Sequence, residues 1–239
     1  MHVARFEAPA DGGPHLPPHR QQPGSRRAPE PIFNAPWIAL LLTAVIVGGY
    51  AIQSRFPLPA VAMDYAFSPA LLEEGQWERV FTALFLHGNW PHALMNAGFC
   101  LAFGTPVARY FGERLSGAAL FMIFYLACGA LSTLGYVALH AGEQSALLGA
   151  SGAVSGLMGG AARLMAGHGR PGPILSRVVL GMGAIWFAIN AAIGLLGSGL
   201  LPGAESGAVA WEAHIAGFVA GVLLLTPFAW VARRLRVAG

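Results

Sequence analysis

Lysine is absent from this chain of 239 residues, and aspartate occurs only at Asp11 and Asp64. Charged residues of every kind make up 10% of the sequence, where a soluble domain carries about a quarter. So few charges cannot cover a water-facing surface. Cysteine is scarce too: Cys100 and Cys128 both fall in apolar runs, which argues against a disulfide framework and reads them as small buried residues. No basic surface interleaved with aromatics points to nucleic acid. What fills the space is apolar, with 55% hydrophobic residues and a mean hydropathy of +0.57. The chain reads as an all-α polytopic membrane protein.

A helix needs about 20 residues to cross the hydrocarbon core. Six stretches approach or exceed that length: 36–53, 89–107, 116–139, 149–166, 176–198 and 208–232. They are continuous runs rather than alternating segments, which speaks against β spans. The fourth is the shortest and richest in glycine. With the N-terminus in the cytoplasm, twelve of the fourteen arginines fall inside, and only Arg55 and Arg79 face out. The positive-inside bias thus favours six spans with both termini cytoplasmic.

Residues 1–35 are polar, proline- and arginine-bearing, without the apolar core of a signal peptide; they read as a disordered cytoplasmic tail ahead of a membrane domain at 36–232. Residues 233–239 read as a short basic cytoplasmic tail. The connection 54–88 contains "LLEEGQWERVFTALFLHG", an amphipathic stretch suited to the headgroup level, with Trp77 and Arg79 as anchors. The segment "GSGLLPGAESGAVAWE" before the last span has the glycines and proline of a mobile gate.

Ionisable groups in hydrocarbon are costly, so each is a candidate for function. His92 and Asn96 lie one turn apart near the outer end of the second span, after Asn89 as cap and Pro91 in the first turn. In the last span His214, Gly217 and Gly221 form one stripe; in the fourth, Gly152, Gly156 and Gly160 form a doubled small-residue motif beside the ridge of Ser151, Ser155 and Gly159. Small residues on both helices allow an approach close enough for a serine–histidine hydrogen bond. Ser151 also opens its helix, where first-turn N–H groups lack internal partners and can meet an oxyanion. Each feature alone is compatible with ordinary packing. Asn190 reads as a packing hydrogen bond, and Glu212 as a water-facing group.

The combination is more specific. "HGNWPHALMN" in the second span, "GASGAVSGLMG" in the fourth and "AHIAGFVAG" in the sixth, with "WERVFTALFLH" and "FYLACGA", resemble the rhomboid intramembrane serine proteases over residues 36–232. The resemblance implies a six-helix bundle with a short, central fourth helix and an interfacial first loop. It also implies Ser151 as nucleophile, His214 as general base, and His92 and Asn96 holding the oxyanion with the Ser151 N–H. Transmembrane proteins would be the substrates, the lipid bilayer the setting, with no metal or other cofactor. Two positions depart from the family pattern. Ser155 stands where an aromatic often stacks on the histidine, and Ala108–Arg109 where a glutamate closes the second span.

Other chemistries fit less well. No span holds an aspartate, His87 and His92 open no His-Glu-x-x-His motif, and Ala153 breaks the soluble Gly-x-Ser-x-Gly pattern. A transporter would place polar groups at the midplane of related halves. A catalytically inactive rhomboid-like scaffold that binds transmembrane clients is the alternative, against which both Ser151 and His214 are retained. Abundant alanine, glycine and arginine suggest a bacterial cytoplasmic membrane.

Overall fold

A computed structural model describes residues 34–196 and 210–237; nearly all of the expected N-terminal tail (1–33), most of the expected gate (197–209) and the last two residues lie outside this range. The described chain is helical, and within it β pairing is limited to two isolated bridges. Helix α1 (Trp37–Gln53) leads into the first loop, built from α2 (Leu58–Tyr65), α3 (Pro69–Glu73), α4 (Arg79–Thr82) and a 3₁₀ turn at Ala83–Phe85. Then follow α5 (Trp90–Phe111), α6 (Leu115–Val137), α7 (Ser151–Ala166), α8 (Arg177–Leu196) and α9 (Trp211–Val237).

Length and composition qualify three of these to cross a membrane: Leu115–Val137, Arg177–Gly194 and Trp211–Arg236, with Trp37–Gln53 as a shorter apolar helix. The other two sequence spans fall short for physical reasons. Helix α5 carries His92, Asn96, Thr105 and Arg109, and α7 has only 16 residues. Helix α9 runs on through Arg233, Arg234 and Arg236, residues expected to begin a tail.

Helix α7 is the packing centre. Every residue from Gly152 to Leu164 is buried, as expected of a helix with neighbours on all sides. It packs most extensively on α9, then on α5 and α6. Backbone proximity explains the glycines: a Cβ on Gly217 would overlap the Gly152 carbonyl oxygen, one on Gly221 that of Gly156, and one on Gly159 that of Phe218. Gly152, Gly156 and Gly160, grouped by their spacing, share the face turned to α6, where a Cβ would meet Ser132, Cys128 and the Phe124 ring in turn; the Gly152 and Gly156 carbonyls and Gly159 lie against α9. At the other end, Phe124 packs edge-on against Phe228 (5.2 Å) and Phe111 (5.7 Å), with Tyr125 and Phe121 fully buried beside them.

The first loop is stapled to the segment before α7. Phe67 and Leu147 exchange backbone hydrogen bonds (3.0 and 2.7 Å), and the Gly149 N–H donates to Ala83 (2.9 Å). Arg79, expected among headgroups, ties the loop to itself: it donates to the Met63 and Ala66 carbonyls (2.9 Å each) and to Gln76.

Candidate active site

Four elements converge near the start of α7. Ser151 is its first residue, and no side chain caps the helix, so the first-turn N–H groups are not taken by a capping oxygen. From α9, His214 places Nε2 2.7 Å from Ser151 Oγ. From α8, Asn190 places Oδ1 2.6 Å from His214 Nδ1, while Asn190 Nδ2 donates to the Trp186 carbonyl at 2.8 Å. That last bond fixes the amide, since only the NH₂ end can donate to a carbonyl. Oδ1 therefore faces the imidazole and accepts from Nδ1–H, which leaves Nε2 bare to accept from the Ser151 hydroxyl. This is the tautomer a general base needs.

His92 and Asn96, on the opposite wall, line the same cavity of about 450 Å³ as Ser151 and His214. Asn89 caps α5 by accepting from the His92 N–H at 2.8 Å, which sets the register of both residues. Asn96 Nδ2 is buried and has no hydrogen-bond partner among the described residues. A buried amide donor left unsatisfied costs about 1–3 kcal/mol, a cost that an arriving acceptor would remove. His92 closes over the backbone before Ser151: a Cβ on Gly149 would lie 2.8 Å from His92 Cε1 and 3.6 Å from Ser151 Oγ. Gly149 also has φ +129°, a conformation side chains rarely adopt.

Three residues were not read from the sequence as parts of this site. Asn190 is a hydrogen-bond partner of the histidine, not a packing group. Trp186, one turn earlier on α8, sets its ring 6.0 Å from that of His214, tilted by 33°. It supplies an aromatic wall that Ser155, having no ring, cannot; the Ser155 hydroxyl instead donates to the Ser151 carbonyl (2.7 Å). His87, just ahead of α5, is fully buried with its ring 5.2 Å from that of His92. Burial foremost, then the neighbouring His92, pushes its pKa down to about 3. Its backbone is held by Gln53, which donates to the His87 carbonyl (2.6 Å) and accepts from its N–H (3.0 Å).

At the rim, Glu212 does not stand alone in water. Its Oε1 lies 3.4 Å from His140 Nε2, and His140 Nδ1 bonds Glu143 at 3.0 Å. Among the described residues, no three His, Cys, Asp or Glu side chains group as a metal site would require.

Compared with known proteins, residues 74–230 match the Rhomboid domain family. The chain belongs to the rhomboid family. The matched span runs from the first loop to α9 and contains His92, Asn96, Ser151, Asn190 and His214. No curated protein matches the chain at a significant level. Together with its apolar helices, the family makes this rhomboid an integral membrane protein.

Proposed function

We propose that this rhomboid is an intramembrane serine endopeptidase that cuts transmembrane segments of membrane proteins through an acyl-enzyme. The reading rests on one observation, the 2.7 Å Ser151–His214 pair opening into a cavity that also holds an unpaired amide donor.

In the proposed reaction His214 Nε2 takes the Ser151 proton as Oγ attacks the scissile carbonyl. The developing oxyanion is met by the Ser151 N–H, Asn96 Nδ2 and His92, preformed donors whose strength is greatest out of bulk water. His214 then protonates the leaving amine, and a water activated by the same nitrogen releases the acyl group. Asn190 holds the ring in the productive tautomer throughout, the task a carboxylate performs in three-membered triads.

The accompanying topology has α1, α5, α6, α7, α8 and α9 as six spans, with the Ser151 end extracytoplasmic and both termini in the cytoplasm of a bacterial cell. The membrane domain is 36–232, between the tails 1–35 and 233–239. Arginine placement supports this arrangement.

Purified protein in detergent, incubated with a fluorescent transmembrane substrate and separately with a fluorophosphonate probe, tests the reading. Wild type should cleave and label; Ser151→Ala and His214→Ala should do neither. A folded wild type that neither labels nor cleaves would leave the client-binding scaffold as its function.

A further inference from the structure

The end of the bundle away from Ser151 carries chemistry that the proposed protease reaction does not use. Helix α7 is about 24 Å long at 1.5 Å per residue, and a second cavity, of about 750 Å³, opens at its far end. Arg109 of α5, Arg170 of the α7–α8 loop and Arg233 and Arg236 of α9 line it, and no acidic residue does. Helix C-termini favour cations, but each offers only about half a negative charge. The ends of α5, α7 and α9 therefore offset about half of the three charges of Arg170, Arg233 and Arg236. Glu113 is the only acidic residue among the described residues of this end, and it lies outside the cavity.

The arginines are mounted rather than loosely displayed. Arg163 is buried, donating to Gly172 (2.5 Å) and to Val222 (2.7 Å) and Thr226 (3.0 Å) of α9. It thereby clamps the loop that presents Arg170. Arg236 donates to the Tyr110 carbonyl and lies over the Tyr110 ring at 5.2 Å. The remaining lining is apolar, including Pro106, Leu164 and the exposed Met165. Arg234 covers the exposed ring of Trp230 (5.1 Å), an aromatic of the kind found at headgroup depth.

We infer that this cavity binds the phosphodiester headgroup of an anionic phospholipid, with guanidinium groups forking onto phosphate oxygens and an acyl chain running along Met165. Guanidinium geometry suits phosphate, and basic pockets between spans are where such headgroups lodge. A free phosphate would share the charged contacts but have no use for the apolar wall. The inference stands on membrane embedding and not on catalysis.

Native mass spectrometry of delipidated full-length protein in detergent tests it, with phosphatidylglycerol, phosphatidylcholine of the same chains, and inorganic phosphate as probes. Wild type should hold phosphatidylglycerol at least roughly tenfold tighter than phosphatidylcholine. R170Q/R233Q should lose that preference, whereas R114Q/R177Q, which removes the same charge outside the cavity, should keep it. R170K/R233K, conserving charge without the fork, should fall between and provides a readout if the glutamine variant does not fold. Equal binding of the two lipids, equal loss in R114Q/R177Q, or displacement of phosphatidylglycerol by millimolar phosphate would each overturn the assignment.

Discussion

Asn190 and His214 are joined by a 2.6 Å hydrogen bond between Oδ1 and Nδ1, and the asparagine amide is itself locked by the Trp186 carbonyl. The uncharged asparagine thus sets the imidazole's tautomer without adding a negative charge to the interior. Asn190→Ala should lower kcat, by up to the roughly 10⁴-fold lost when a triad's orienting residue no longer sets the histidine tautomer, with KM little changed. Steady-state kinetics on a soluble-tagged transmembrane substrate check this; a rise in KM alone would mean that Asn190 shapes binding instead.

In the proposed reaction Asn96 offers its unpaired Nδ2 where charge develops. Asn96→Ala should reduce turnover by about 10²–10³-fold, the cost of one oxyanion donor, while leaving fluorophosphonate labelling of Ser151 detectable. Ser151→Ala should remove both cleavage and labelling. Gel-based cleavage and probe labelling, run side by side, separate the two variants.

Gly149 sits against His92 in a backbone conformation that favours glycine. Gly149→Ala should cost about 1–3 kcal/mol in stability from the backbone alone and displace His92, lowering activity further. In the Gly149→Ala/His92→Ala double variant the clash is gone, so the two losses should sum to more than the observed one. Thermal melting and cleavage rates for the four proteins supply the cycle.

Gly221 leaves no room between α9 and the Gly156 carbonyl. Gly221→Val should push α9 away from α7, at or beyond the upper end of the about 1–3 kcal/mol typical of overpacking. A backbone cannot yield as a side chain tip can. The melting temperature in detergent should drop, and Ser151 should lose probe reactivity as His214 recedes. Gly181, whose Cβ would meet nothing within 4 Å, should accept alanine without either effect.

His140 links the loop before α7 to the start of α9 and stacks on Tyr136 at 4.1 Å. The hydrogen bond to Glu143 chiefly, and the nearby Glu212 in addition, raise its pKa above 6.5 against a smaller opposing effect of desolvation. With the folded value above the unfolded one, this stabilisation is complete below about pH 6.5 and fades as pH climbs through the raised value. The melting temperature should therefore decline on the alkaline side, modestly because the groups face solvent. His140→Gln should flatten that decline.

Much of the site was legible because its spacing is local. Ser151 and Gly152 open a helix, Asn89, His92 and Asn96 share one helical turn pattern, and Gly217 and Gly221 recur every four residues; each reading needs only the helical period. The rest depended on how helices rotate against one another. Asn190 and Trp186 lie on an apolar helix where no polar stripe marks which face meets α9. Gly159 and Gly160 are adjacent, and only the azimuth of α7 decides which touches α9. The His140–Glu212 contact joins the loop after α6 to the first turn of α9, far apart in sequence. The bonds from Arg79 to Met63 and Ala66 were not legible, because nothing local reveals that those carbonyls turn toward it.

The buried Arg163 has a consequence for biogenesis. Its guanidinium is satisfied by the α7–α8 loop and by α9, both made after α7. On the six-span reading, this 16-residue, glycine-rich segment would enter lipid with an arginine in its last turn, at a penalty below the roughly 2.5–3.5 kcal/mol of a mid-helix arginine because the side chain can reach the interface. Integration of the centre must then wait for α9, so removing α9 would leave the Arg163 guanidinium without its Val222 and Thr226 acceptors and expose α7 to quality control.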